Sequence, residues 1–157
     1  MTKEIQLTQN KVAFVDDADF EWLNQHKWYF NGRHAIREIR IGGKKRKILM
    51  HRIIVSVPFG LEIDHINGYG CDNQRDNLRI CTHQQNVRNC KKCMKDTSSK
   101  YKGVCWHKTN RKWQAYIGVN KKVIYLGYFD IEDDAARAYN VAALHYFGEF
   151  AKPNFIE

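Results

Sequence analysis

The stretch Ile63–Asn89 reads Ile-Asp-His-Ile-Asn-Gly-Tyr-Gly-Cys-Asp-Asn-Gln-Arg-Asp-Asn-Leu-Arg-Ile-Cys-Thr-His-Gln-Gln-Asn-Val-Arg-Asn. It sets Asp64 beside His65, places Asn77 twelve residues on and Asn86 nine further. The patterning predicts a strand over Glu62–Ile66, a polar loop over Asn67–Asp76, a second strand over Leu78–Thr82 and a polar helix over His83–Cys90. That is a ββα unit. In a regular strand Asp64 and His65 point to opposite faces. An imidazole beside a carboxylate, with amides brought in by elements that fold back on it, suits metal-assisted hydrolysis of a phosphodiester.

These residues and spacings resemble the HNH nuclease family, in the variant whose last His position is Asn, over about Met50–Asn89. The resemblance implies His65 as the general base that takes a proton from water, with Asn77 tying the loop so that the imidazole keeps its orientation. It implies Asp64 and Asn86 as protein ligands to the metal. Two oxygen ligands describe Mg²⁺ (or Mn²⁺) rather than Zn²⁺. Arg75, Arg79 and Arg88 flank the motif and are candidates for holding DNA phosphates. His83 could stand in for Asn86 near the metal but reads more simply as the helix cap, and His51 could approach the site but reads more simply as a packing residue.

Upstream, short alternating runs predict strands over Glu4–Leu7, Lys11–Val15, Ala35–Ile41 and Lys47–Ile54, and Asp19–Trp28 reads as a helix. Asn31-Gly32 and Gly42-Gly43 signal turns. The second leads into a basic hairpin tip whose Lys44, Lys45 and Arg46 are candidates for phosphate contact. Residues 1–50 thus read as a β-rich segment supporting a nuclease core at 51–95, followed by a polar linker at 96–100.

Downstream the pattern changes. Runs over Gly103–His107, Lys112–Gly118 and Val123–Phe129 predict three strands, and Asp130 is placed to cap a helix over Ile131–Phe147 that ends at Gly148. Residues 100–129 carry +7, whereas 130–157 carry −4. An anionic partner should therefore meet the sheet and not the helix. Alternation assigns Trp113, Ala115 and Ile117 to packing and Gln114 and Tyr116 to the other face. The candidate DNA contacts are Lys102, Trp106, His107, Lys108, Arg111, Gln114, Tyr116, Lys121, Lys122 and Tyr125. Tyr101-Lys-Gly-Val, Trp113, Tyr125-Leu-Gly-Tyr-Phe, Ala135-Ala-Arg-Ala-Tyr, Gly148 and Asn154-Phe155 resemble an AP2-type DNA-binding domain over 101–157. The resemblance implies a sheet that reads the major groove of duplex DNA. The chain departs from that pattern at Cys105, Gly118 and Val123, where plant relatives tend to carry base-reading arginines.

The totals agree with a nucleic-acid partner: 26 Lys+Arg against 17 Asp+Glu, a net charge of +9. No apolar run approaches the roughly 18 residues of a membrane span, so no membrane role is expected. Met1–Lys11 lacks the apolar core of a secretory signal, and five cysteines suit reduced thiols inside a cell, bacterial or phage-infected. Cys90-Lys-Lys-Cys93 is half a zinc site that Cys71 and Cys81 could complete, although ordinary thiols are the simpler reading. The expected fold class is α+β. The expected activity is that of a metal-dependent, homing- or nicking-type DNA endonuclease. A sequence-specific DNA-binding regulator with an inactive nuclease core is the alternative, and an RNA-directed protein ranks third.

Overall fold

The computed structural model describes residues 1–89 and 98–156, which fold as two units, Met1–Asn86 and Val87–Glu157. Cys90–Cys93 and the first residues of the expected linker lie outside the described residues.

The first unit opens with an antiparallel hairpin, β1 (Thr2–Gln6) and β2 (Val12–Asp16), turned by Gln9 and Asn10 at positive φ. Helix α1 (Asp17–Asn24) follows directly, with Asp17 and Asp19 in its first turn, where acids suit the helix dipole. Its Leu23 is buried and its carbonyl accepts the Trp28 indole N–H at 2.9 Å. Strands β3 (Tyr29–Phe30), β4 (Ala35–Ile41) and β5 (Lys44–Leu49) form a three-stranded antiparallel sheet. Gly42 and Gly43 make the two-residue turn between the last two, both with φ above zero, a conformation that favours glycine.

The strand expected over Lys47–Ile54 does not run its full length. At Met50 the chain turns into a short helix, α2 (Met50–Ile54), because Met50 and Ile54, four residues apart, bury together in the core. Strand β6 (Glu62–His65) then pairs antiparallel with β7 (Leu78–Cys81), a 3₁₀ turn at Arg75–Asn77 precedes β7, and α3 (His83–Asn89) closes the ββα unit. Its start is capped by Thr82 and Gln85 in a reciprocal capping box: the Thr82 N–H donates to Gln85 Oε1 at 2.8 Å and the Gln85 N–H to Thr82 Oγ1 at 3.3 Å. His83 is therefore not the cap. One core spans the unit, joining Ile5, Val15, Leu23 and Trp28 to Met50, Ile54, Ile63, Cys71 and Leu78. The ββα hairpin is too small to bury such a core alone, and the residues before position 50 supply most of it.

The second unit is a three-stranded antiparallel sheet, β8 (Val104–His107), β9 (Lys112–Val119) and β10 (Lys122–Phe129), packed on α4 (Glu132–Phe147). Ala115 and Ile117 face the helix alanines Ala135, Ala136, Ala142 and Ala143, whose small side chains let helix and sheet approach closely. Asp130 is not the cap of α4. Ile131 occupies that position without a side-chain bond, while Asp130 pairs with Lys112 at 3.1 Å. The acids of the first turn serve the chain ahead of β8: Glu132 accepts the Ser99 hydroxyl at 2.6 Å and Asp133 the Tyr101 hydroxyl at 2.7 Å. The architecture is α+β. Among the described residues no helix is long and apolar enough to cross a membrane.

Candidate active site and nucleic-acid face

Strand β6 carries chemistry on both faces. Glu62 and Asp64 stand on one face, opposite Cys81 and Arg79 in the ladder, and His65 follows at the strand's end. Asp64 is buried, and its Oδ2 accepts Arg79 Nε at 2.9 Å and Nη2 at 2.7 Å. Glu62 receives the Asn86 amide at 2.6 Å on one carboxylate oxygen and His83 Nδ1 at 2.9 Å on the other. Those two partners, the amide foremost, hold the Glu62 carboxyl below its usual range. Helix α3 thus delivers Asn86 to the carboxylate side of β6.

His65 is buried among two further histidines. His51, from α2, meets it edge-to-face with ring centroids 4.9 Å apart, and His34, just ahead of β4, lies 5.5 Å away. Its Nε2 lies 3.4 Å from Asn73 Oδ1. Asn73 is itself fully buried, and its amide nitrogen donates to the Cys71 carbonyl at 3.1 Å and towards Met50 Sδ at 3.4 Å. With that nitrogen spent, the amide oxygen must face the ring, which assigns the imidazole proton to Nε2. Burial pushes all three imidazoles down from the ordinary histidine value, His51 to about 3. Each is neutral at pH 7.

The loop between β6 and β7 is laced in place. Asn77 Oδ1 accepts the Asn67 N–H at 3.0 Å, its amide donates to the Asp72 carbonyl at 2.8 Å, and its own carbonyl accepts the Ile66 N–H at 2.9 Å. Phe14 of β2 exchanges backbone bonds with Cys71 and Asn73. Arg75 forms a two-bond pair with the buried Asp19, both bonds at 2.8 Å, and so anchors the loop to α1. Arg75 and Arg79, read from sequence as phosphate contacts, are thereby both engaged with carboxylates of the unit. Lys45 pairs with Glu38 at 3.5 Å, and Lys44 and Arg46 are exposed. Glu62, His34 and Asn73 were missed as site residues, and His51, read more simply as packing, does approach His65. Glu62 carried a signal, since it is two residues from Asp64 on the same strand face; the others come together only through tertiary folding.

In the second unit the outward face of the sheet presents Gln114 and Tyr116 of β9, and Cys105 beside Gln114 in register. Tyr125 stands opposite Tyr116, and Val123 opposite Gly118. A bulge at Gly127, with φ of 133°, shifts the register so that Tyr128 also turns outward, 5.0 Å from His107 and 5.2 Å from Tyr125 between ring centroids. Strict alternation misses Tyr128; Gly127 within the strand was the available signal. Trp106 is 38% exposed. It pairs with Trp113 on the helix-facing side, their rings 5.1 Å apart. Lys108, Arg111, Lys121 and Lys122 are exposed at the hairpin turns, the last three at or beside positive-φ positions. Lys102 Nζ donates to the Arg88 carbonyl at 2.7 Å, and the Arg88 guanidinium lies over the Phe147 ring at 4.5 Å, so both are held within the unit.

Cys71 and Cys81 are buried free thiols, each directed at a backbone carbonyl and each pushed up by burial, so they are protonated. Among the described residues the side chains grouped to hold a metal are His34, His51 and His65, not cysteines.

A short strand with adjacent Asp and His, an antiparallel partner and a helix returning an Asn define an HNH-type ββα unit. Residues 49–88 match the family model described as HNH endonuclease. A protein of Acanthamoeba polyphaga mimivirus, described as an uncharacterized HNH endonuclease, is 32% identical over 151 residues, 92% of this chain and 75% of its own length. The chain belongs to the HNH endonuclease family. Its C-terminal part is similar to plant proteins. APETALA2-like protein 2 of Oryza sativa subsp. indica is 52% identical over 60 residues, 37% of this chain and 14% of the rice protein. The AP2-like ethylene-responsive transcription factor ANT of Arabidopsis thaliana is 35% identical over 144 residues, 85% of this chain and 26% of its own length. The chain thus spans only a small part of these plant relatives.

Proposed function

We propose that this protein is a metal-dependent endonuclease of duplex DNA in which His65 is the general base and the C-terminal sheet binds the substrate. The observation that carries the reading is the division of labour on β6: Glu62, Asp64 and the incoming Asn86 on one side, a neutral imidazole at Asp64's neighbour on the other.

The donor set fits a hard cation. Asp64 and Asn86 offer oxygens and Glu62 lies beside Asn86, while Arg79 bonds Oδ2 of Asp64, so a metal there would share that carboxylate with the guanidinium. Mg²⁺ or Mn²⁺ bound there would polarise the scissile phosphate and support the leaving oxygen. His65 has its lone pair on Nδ1 when Nε2 carries the proton, and burial keeps the ring neutral and able to accept a proton from water at pH 7. Asn73 orients the ring, and Asn77 holds the loop that presents Asn73. The exposed cations Lys108, Arg111, Lys121 and Lys122 supply phosphate contacts, while Gln114, Tyr116, Tyr125, Tyr128 and His107 offer polar and aromatic edges to bases. Cys105, Gly118 and Val123 share that outward face, so base preference differs from that of relatives with arginines there. Reduced thiols at Cys71 and Cys81 suit a protein that works inside the cell.

A second reading, a DNA-binding regulator with a silent core, draws on Asp64 and Asn86 both being engaged within the protein. Supercoiled plasmid incubated with and without Mg²⁺ separates the two. Mg²⁺-dependent nicking or linearisation that falls by roughly 10²–10⁴-fold in His65→Ala is expected. Tight duplex binding with no cleavage, even on DNA carrying a selected binding site, would establish the regulator instead.

A further inference from the structure

The three histidines that surround the end of β6 are more than a packing cluster. They come from three separate elements: the turn before β4, helix α2 and strand β6. One ring nitrogen from each lies within 4.8 Å of one from each of the others. His51 and His65 are 5% and 6% exposed. His51 Nδ1 is buried and has no hydrogen-bond partner. A buried polar atom without a partner ordinarily costs a fold stability, so its retention calls for an occupant.

We propose that His34, His51 and His65 form a binding site for a borderline transition-metal ion of the Zn²⁺ class, separate from the oxygen donors on the opposite side of β6. Imidazole nitrogens suit such an ion and are poor ligands for Mg²⁺. The site has the supporting bonds that ligating histidines ordinarily carry. His34 Nδ1 faces the Gly70 carbonyl at 3.3 Å, and His65 Nε2 faces Asn73 Oδ1 at 3.4 Å; each bond fixes the orientation of its ring. His34 is held by its backbone too, since Asn31 Oδ1 accepts both the Arg33 and His34 N–H groups at 3.0 and 2.8 Å. Gly70 admits the His34 ring because a side chain there would collide with it. A tetrahedral ion with metal–nitrogen bonds of 2.0–2.1 Å wants nitrogens about 3.4 Å apart, so the rings need draw in by at most roughly 1.4 Å. Three protein ligands leave a fourth position open. The ion takes up a nitrogen of His65, so occupancy should slow cleavage; that consequence rests on the proposed function, whereas binding does not.

The test uses the full chain, stripped with EDTA and titrated with Co²⁺ as a spectroscopic stand-in. The expected result is visible absorption of the tetrahedral type that saturates at a single equivalent and is bleached by Zn²⁺. It should persist in the Cys90→Ser, Cys93→Ser double variant, without thiolate charge-transfer bands. Affinity should fall by more than ~10-fold in His51→Gln, since metal sites lose that much even when a supporting bond is removed. His34→Gln, at a half-buried position, gives the same reading if His51→Gln fails to fold by circular dichroism. Absence of the visible band overturns the proposal. So does a band with thiolate character that disappears in the cysteine variant, or wild-type affinity in a folded histidine variant.

Discussion

Asp64 shows how much one residue's environment decides. Its adjacency to His65 in a strand was enough to place the two on opposite faces, and the structure keeps them so. What adjacency could not show is that Arg79, its partner across the ladder, closes on it with two bonds to one oxygen. The pair is nearly buried, with side chains 6% and 12% exposed. Removing the cation alone would strand a carboxylate in the interior. We expect Arg79→Ala to destabilise the metal-free protein by about 3 kcal/mol, as breaking a buried pair does. If Asp64 belongs to the metal site, Mg²⁺ should restore more of the melting temperature in this variant than it adds to the wild type. Thermal melts with and without Mg²⁺ measure this, and equal increments in both proteins would remove Asp64 from the ligand set. Arg75 and Arg79 looked alike in sequence as loose basic residues. Their carboxylate partners, Asp19 and Asp64, are 56 and 15 positions away, so only the folded chain could reveal them.

At the scale of elements, periodicity located the strands and helices well and misplaced the features that depend on a partner. The run Lys47–Ile54 alternates like a strand, yet Met50 and Ile54 share a buried face only as a helix. The bulge at Gly127 turned out a tyrosine that alternation places inside. Asp130 has the right chemistry for a cap but pairs with Lys112 instead. The contact between helix and sheet in the second unit is tight enough to test at one atom. Gly103 sits at φ of 73°, and a Cβ there would run into the Tyr139 ring and approach the Tyr116 carbonyl oxygen to 2.6 Å. Gly103→Ala should therefore cost about 3 kcal/mol from strain and overpacking together. A lowered urea midpoint for the second unit would register it; an unchanged midpoint would mean that helix and sheet are not so closely packed.

For the whole molecule the buried histidines make stability depend on pH. His51 titrates at about 3 in the fold against 6.5 when exposed, so the unfolded chain binds its proton first as pH falls. The folded state has nothing to lose above pH 6.5 and becomes progressively less stable below it, down to about pH 3. Between pH 7 and pH 5 the loss from His51 alone is about 2 kcal/mol. His34 and His65, shifted the same way, add to it. Urea titrations in EDTA at the two pH values should show the drop, and His51→Gln should flatten it. A pH-independent midpoint in the wild type would mean that the cluster is open to water.

The ββα unit, its Asp-His pair and the basic sheet with an acidic helix behind it were all determined by the sequence itself. Each is written in local spacing: strand alternation, helix composition, glycines at turns, and charge counted along a segment. Only the tertiary structure decided which polar groups meet. It brought His34 and His51 to His65, Asn73 beneath the imidazole, Glu62 to Asn86 and Arg79 to Asp64. Those groups gather because one core, built from both sides of position 50, folds three unrelated segments around the end of one short strand. Periodicity records which face of an element is buried, but not which distant residue will be buried against it.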